Sequence, residues 1–334
     1  MAQVTYLEAI RQGLYEEMLR DPRVFCIGED IGVYGGAFKV TEGFVHAFGS
    51  DRVVDTPIAE AAIVSACFGA ALTGMRPVGE FQFMDFISSA HSQIINVCAK
   101  ANYRWNAPAP LVLRGPSGGG VHGGPFHSQN PETYYAHTPG LKVICPATAY
   151  DAKGLIKAAI RDNNPVLFFE HKFLYRRIKE ELPPAGSPEA DYVVEIGKAR
   201  VHRKAPDGHR KSVSVITYAA MVYVAQEAAD ILSKEGIELE IIDLRTVKPL
   251  DHDAIAETVR RTNRVICLHE DTKTGGIAGE IAAVINETCF DDLDAPIARI
   301  ASLDTPVPFS PPLEEAFLPS VADVVREARR LVNY

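Results

Sequence analysis

Short apolar runs alternate with segments of helical period along most of the chain, and this alternation limits the fold more than any other feature. In the first half, strand-like runs fall at Val24 to Ile27, Val78 to Phe83, Pro110 to Arg114, Val143 to Cys145 and Val166 to Glu170, with helical patterns over 5–20, 88–103 and 149–161. In the second half, runs at Val213 to Tyr218, Leu239 to Leu244, Val265 to His269 and Ile297 to Ile300 alternate with helices predicted over 222–234, 251–262, 277–287 and 321–332. Such alternation implies an α/β class, with parallel sheets covered by helices in two three-layer domains. A length of 334 residues supports two separate cores. Residues 181–194, which include Leu182-Pro183-Pro184-Ala185-Gly186-Ser187-Pro188, read as an exposed linker between domains at 1–180 and 195–334.

Lysine and arginine number 34 against 43 acids, and a net charge of −9 with no basic stripe excludes a general nucleic-acid binder. No uncharged run is long enough to span a bilayer, so no membrane segment is expected. Met1 leads directly into the capping-box pattern Thr5-Tyr6-Leu7-Glu8, so no signal peptide is expected either. The six cysteines are scattered, without a Cys-x-x-Cys pair, and read as reduced core residues of a cytoplasmic protein.

One acid stands apart. After Asp55-Thr56-Pro57-Ile58-Ala59-Glu60 no charged residue follows until Arg76, so Glu60 is predicted at the mouth of an almost wholly buried helix. Two readings fit: a first-turn acid complementing the helix dipole, or a carboxyl whose pKa burial raises so that it shares a proton with a ligand nitrogen. Glu29 ends a strand and leads into Asp30-Ile31-Gly32 and Val33-Tyr34-Gly35-Gly36. In open α/β sheets loops there hold ligands, with a solvated turn as the plain alternative. The run Phe81-Gln82-Phe83-Met84-Asp85-Phe86 is dense in aromatics, a core signal before it is a cofactor wall.

Six of the ten residues from Gly115 to Gly124 are glycine, and the run leads to Phe126-His127-Ser128-Gln129. Ordering so many glycines is costly unless backbone must approach something closely, yet the phosphate-loop ending and the dinucleotide fingerprint are both missing. The segment reads as a mobile loop with His127 at its rigid edge, a proton-handling or a structural imidazole. A zinc site from His122, His127 and His137 matches no familiar ligand spacing. At the end of the 149–161 helix, free carbonyls and Asp162 offer a place for a monovalent cation, with C-capping as the default reading.

With these motifs in view, the chain resembles, over essentially its whole length, the beta subunit of the thiamine diphosphate-dependent decarboxylase component of 2-oxoacid dehydrogenase complexes. The carriers are Gly28-Glu29-Asp30-Ile31-Gly32, Asp55-Thr56-Pro57-Ile58-Ala59-Glu60, His127-Ser128-Gln129, Gly140-Leu141-Lys142-Val143, and Asp151-Ala152-Lys153-Gly154-Leu155 continuing to Asn164-Pro165. The resemblance implies a transketolase-like pyrimidine-binding domain followed by a transketolase C-terminal-like domain. It implies that Glu60 hydrogen-bonds N1′ of the cofactor's aminopyrimidine and shares a proton with it, while Glu29, Ile58, Ala59, Gln82 and Phe86 line the aminopyrimidine and substrate pocket. It gives His127 the handling of the enamine intermediate and its transfer to a lipoyl group. It also implies a potassium site at Leu111, Ala159, Ile160, Asp162 and Asn164.

The Gly-Asp-Gly motif that serves diphosphate and magnesium in this superfamily is absent from the chain. The resemblance therefore implies that an alpha subunit supplies that half of the site. The assembly would hold two alpha and two beta chains and would serve a lipoyl-bearing dihydrolipoamide acyltransferase. Residues 82–86, the 118–124 loop and Leu174-Tyr175-Arg176-Arg177 look closer to branched-chain 2-oxoacid subunits than to pyruvate ones, although Phe86 stands where that group frequently has tyrosine. Pyruvate and acetoin-type substrates remain alternatives, because a methylene in an apolar pocket changes selectivity by only about 1–3 kcal/mol. A reading of another class makes the chain a non-catalytic docking subunit. A third, a single-chain transketolase-like enzyme, is disfavoured by the missing motif.

Overall fold

The computed structural model describes residues 2–334, which form two compact units. One runs to Ser117 and resumes over Tyr134–Ile196; the other comprises Gly118–Thr133 and Gly197–Tyr334. The glycine-rich loop, read as part of the first domain, thus groups with the C-terminal half.

The first unit begins with β1 (Ala2–Thr5) and α1 (Tyr6–Arg20), and the Thr5–Glu8 capping box closes the helix start as expected. There follow β2 (Val24–Glu29), α2 (Phe44–Phe48), β3 (Val53–Thr56), α3 (Glu60–Leu72) and β4 (Arg76–Glu80). The helix expected over 88–103 is broken into a 3-10 turn at Met84–Ala90, a π turn at Gln93–Cys98 and α4 (Ala99–Trp105). The remaining elements are β5 (Val112–Ser117), α5 (Glu132–Ala136), β6 (Lys142–Ile144), α6 (Ala149–Arg161), β7 (Val166–His171) and β8 (Lys179–Leu182).

The strands of this unit pair in parallel in the order β6-β7-β5-β4-β2-β3. β5 and β7 are buried at every position, as central strands covered on both faces should be. β2 is the pivot, because β3 pairs on one side of it and β4 on the other. A reversal of strand order opens a crevice beyond the carboxyl ends of the adjoining strands, where open α/β sheets bind ligands. Glu29 ends one of those strands, and Gln82 follows the other by two residues.

Residues 181–194, expected as an exposed linker, are tied to this unit. β8 pairs antiparallel with β1, Leu182 opposite Ala2. Asp191 accepts a 2.7 Å hydrogen bond from Arg161, and Tyr192 stacks on Tyr150 with centroids 4.2 Å apart. Lys157 explains part of the anchoring: a buried ammonium must be paired, and it finds Glu16, Asp191 and the carbonyl of Ala190.

The expectation of an almost wholly buried α3 is corrected. Ile63, Val64, Cys67 and Ala71 face the core, whereas Ala62, Ser65, Ala66 and Gly69 are exposed and Leu72 keeps 49% of its surface in solvent. A helix apolar all round is normally enclosed, so the outward stripe lacks a covering that its composition calls for.

The second unit contains β9 (Arg200–Arg203), β10 (Ser212–Thr217), α7 (Met221–Leu232), β11 (Glu238–Asp243), β12 (Thr246–Lys248) and α8 (His252–Thr262). It continues with β13 (Val265–Thr272), α9 (Ala278–Cys289), β14 (Ala298–Ser302), α10 (Pro311–Phe317) and α11 (Val321–Val332). Its sheet runs β14-β13-β10-β11-β9, parallel except for the antiparallel edge strand β9. All six cysteines of the chain are free and buried. Among the described residues no helix is long and apolar enough to cross a membrane.

Candidate active site

The crevice of the first unit is built by the turn that follows β2. Asp30 takes a positive φ of 55° and its carbonyl accepts the N–H of Gly36 at 2.8 Å, which folds the 30–36 segment back on itself. Asp55, on β3, accepts the N–H of Gly32 at 2.6 Å. A Cβ on residue 32 would stand 2.3 Å from that carboxylate, so only glycine permits this bond. Two strand ends are thereby tied together just before the chain passes through Ile58 and Ala59 to Glu60.

Glu60 is the first residue of α3, whose cap, Ala59, has no side chain to satisfy the free N–H groups of the first turn. Its carboxylate sits where those N–H groups favour negative charge. Ser89 donates its hydroxyl to Glu60 Oε2 at 3.2 Å. The burial expected for Glu60 is not found in this chain, where the residue is half-exposed. Glu29 has its pKa raised, by burial first and then by the negative charges of Asp30 and Glu60. That electrostatic influence puts Glu29 and Glu60 in one neighbourhood.

The other residues expected at this pocket gather at the same edge. Gln82 donates to Asp30 Oδ2 at 3.3 Å, and Ile58 is 75% exposed, an apolar side chain at the rim. Phe86 meets Phe83 edge-on at 6.1 Å; Phe83 meets Phe38 at 5.6 Å, and Phe38 meets Tyr175 at 5.2 Å. The aromatic run is therefore one end of a ring-on-ring wall.

Beneath lies a buried ionic group that no motif announced. Arg114 on β5 is paired with Glu80 on β4 and Glu170 on β7, and Tyr175 donates to Glu170 at 2.7 Å. Burial raises the pKa of Glu80 while the Arg114 guanidinium opposes the rise. Gly28 and Gly36 both press against Glu80; an added Cβ would come within 2.7 Å of it in each case. The strand end and the loop flanking Glu29 thus rest on this group.

The residues expected to hold potassium also come to one corner, but a protein cation is already there. Arg76 Nη1 donates to the carbonyls of Ile160 (2.8 Å) and Asp162 (2.9 Å), and Nη2 to Asn163 Oδ1 at 2.7 Å. Lys142 pairs with the Asp162 carboxylate, Val166 N–H takes the carbonyl of Leu111, and Asp162 N–H takes that of Ala159. Asn164 contributes its N–H to Asp162 and its side-chain oxygen to Asn102. Arg76 and Lys142 thus answer much of the negative character of this corner.

His127 belongs to the second unit, half-buried, with its N–H directed to the carbonyl of Gly124 at 3.3 Å. The loop before it, expected to be mobile, is tied down by two carboxylates. Gly119 N–H donates to Glu270 at 2.6 Å, while Gly120 N–H and His122 N–H each donate to Glu314 at 3.0 Å. His122 Nδ1 lies 2.6 Å from the same Glu314, and among the described residues no cluster of His, Cys, Asp and Glu could hold a metal ion. Nearby, Tyr218 donates to Glu132 at 2.7 Å and Thr133 to Asp271 at 2.9 Å. Burial, with Asp271 adding, pushes the Glu132 carboxyl up to about 8. Burial holds His269 neutral, its pKa lowered to about 4.

Sequence reasoning missed Asp30, Ser89, Arg76, Glu270 and Glu314. Asp30 and Ser89 carried a usable signal, one adjoining Glu29 and the other three residues after Phe86 on the same turn. Glu314 carried none, since 194 residues separate it from Gly120.

Residues 2–177 match the family model described as transketolase, pyrimidine binding domain, and residues 197–324 that described as transketolase, C-terminal domain. The chain is 49% identical over 337 residues to the 2-oxoisovalerate dehydrogenase subunit beta of Bacillus subtilis (strain 168), covering 100% of both. It is 44% identical over 338 residues to the pyruvate dehydrogenase E1 component subunit beta of the same organism, again over 100% of both. The mitochondrial pyruvate dehydrogenase E1 component subunit beta-2 of Oryza sativa subsp. japonica is 44% identical over 98% of this chain and 86% of its own. A solved split-gene transketolase, an inactive beta4 tetramer, superposes with a TM-score of 0.77 over 99% of this chain and 98% of that one; at 22% identity this is a likeness of fold.

Proposed function

Because this chain belongs to the family of transketolase-type beta subunits of 2-oxoacid dehydrogenases, we propose that it is the beta half of a two-polypeptide decarboxylase acting on a branched-chain 2-oxoacid. The observation that carries the reading is the 49% identity over both full chains to a 2-oxoisovalerate dehydrogenase subunit beta, against 44% to a pyruvate counterpart. The chemistry at the Glu29 edge agrees with it.

The donor set there fits the aminopyrimidine of thiamine diphosphate: a carboxylate for a ring nitrogen, an amide at Gln82, and the apolar faces of Ile58, Ala59 and Phe86. When bound, that cofactor would supply the nucleophile and the electron sink that decarboxylation of a 2-oxoacid needs. Glu60 holds and shares the proton at the ring nitrogen, and Ser89 keeps its carboxylate turned to the task. Burial, with Asp30 and Glu60 adding, raises the pKa of Glu29 beside Glu60. His127 moves the proton that accompanies acyl transfer to a lipoyl group.

The missing Gly-Asp-Gly motif supports an alpha subunit as the source of magnesium and diphosphate binding, in a heterotetramer of two alpha and two beta chains docked on a lipoyl-bearing acyltransferase. Free, buried cysteines support a cytoplasmic setting. Potassium would share the carbonyls of Ile160 and Asp162 with Arg76, using their second lone pairs; a potassium-dependent rise in melting temperature, absent with sodium, tests it.

Co-purification with the alpha chain, followed by kcat/KM on 2-oxoisovalerate and on pyruvate, tests the whole reading. A higher value on 2-oxoisovalerate is expected. Preference for pyruvate would move the assignment to that relative, and full activity of a Glu60→Gln complex would favour a docking subunit without chemistry.

A further inference from the structure

The anchoring of the glycine loop points to a role for a part of the chain remote from every motif. We propose that the segment Phe309–Leu318, through Glu314, is the positioning element for His127; this rests on the reading of His127 as the acyl-transfer histidine. Glu314 is only 1% exposed, and a buried carboxylate persists only if hydrogen-bonded. All three of its partners lie in the loop: Gly120 N–H, His122 N–H and His122 Nδ1. Successive backbone N–H groups facing one anion form the concavity that elsewhere receives phosphate. Here the protein fills it with its own side chain, so a segment rich in glycine acquires a fixed shape.

The same segment reaches His127 by a second route. Phe309 packs its ring under Gly124, where φ is +70° and a Cβ would lie 2.5 Å from the ring. Gly124 in turn accepts the His127 N–H, and a Cβ on Gly123 would fall 2.7 Å from Ser128 Oγ and 3.0 Å from His127 Cβ. At the far end of the loop, Leu318 lies beside Gly119, whose N–H is held by Glu270. The loop is therefore gripped at Gly119, Gly120, His122 and Gly124, and His127 follows three residues after the last grip.

The test uses the alpha–beta complex with a free lipoyl domain, comparing wild type, Glu314→Gln, Glu314→Ala, His127→Ala and the Glu314→Ala/His127→Ala double variant. Loss of a charge-assisted hydrogen-bond set should lower reductive acylation by about tenfold or more in Glu314→Ala, with Glu314→Gln intermediate. Decarboxylation read with an artificial electron acceptor should fall less than about twofold, and the alanine at 314 should add less than about twofold once His127 is gone. Equal loss in both half-reactions, or a full additional loss in the His127→Ala background, overturns the inference. Hydrogen exchange gives a readout independent of turnover: the Gly120 and His122 amides should lose protection in Glu314→Ala, and retained protection also overturns it. A wild-type complex inert towards every 2-oxoacid overturns the functional reading itself, and is recognised by activity failing while the exchange result stands.

Discussion

Ser89 donates to Glu60 Oε2 at 3.2 Å while also lying 2.8 Å from the carbonyl of Phe86, so one hydroxyl links the head of α3 to the turn that carries the Phe86 ring. A hydroxyl has a single proton, so the two acceptors share it. Replacing Ser89 by alanine should leave the Glu60 carboxylate free to rotate and lower kcat of the assembled complex by about three- to tenfold, the scale of one modest hydrogen bond. Steady-state kinetics with size-exclusion chromatography checks this; wild-type kcat in Ser89→Ala would remove the orienting role.

Gly32→Ala is expected to act on the same edge from below. Its methyl would collide with the Asp55 carboxylate that accepts the Gly32 N–H. Overpacking of this kind costs about 1–3 kcal/mol, read as a lower urea midpoint with an unchanged m-value. Shortening the acid with Asp55→Ala should recover part of the loss from the double variant.

Arg114 is the most consequential buried charge in the first unit. Its replacement by methionine leaves Glu80 and Glu170 facing each other without a cation, which should cost about 3–5 kcal/mol in the denaturant midpoint. Adding Glu80→Gln and Glu170→Gln to that variant should restore much of the stability, because the uncompensated charges are then gone.

Glu132 makes stability depend on pH with a definite sign. Its carboxyl sits at about 8 in the folded chain against an ordinary value of 4.5, so folding retains a proton that the unfolded chain gives up between those limits. Stability should therefore be undiminished by this group below pH 4.5 and decline as pH rises towards 8, by up to about 1.4 kcal/mol per pH unit. Glu132→Gln should flatten that decline and be the more stable protein at pH 8. Urea midpoints for both proteins at pH 6 and pH 8 decide it.

How much of this was legible in the sequence depends on whether a feature is periodic or distant. The strands and helices follow local period, which is why the 149–161 and 321–332 helices coincide with α6 and α11. Gln82 and Phe86 read as core and enter only through the resemblance, whereas Glu29 and Glu60 could be singled out because each adjoins a recognisable strand end or helix start. The Glu80–Arg114–Glu170 group could not, since its members meet only when three parallel strands fall into register. The burial of α3 was overestimated for a related reason: an apolar sequence says that a surface wants covering, not which chain covers it. Glycine content predicts a mobile loop before His127 because it reports the entropy of a segment and is silent on two carboxylates arriving from residues 270 and 314.

The outward stripe of Ala62, Ser65, Ala66, Gly69 and Leu72 has a consequence for how the protein must be made. A chain released alone leaves this greasy strip in water, where copies should seek one another. A lone overexpressed chain should then clump in proportion to its excess.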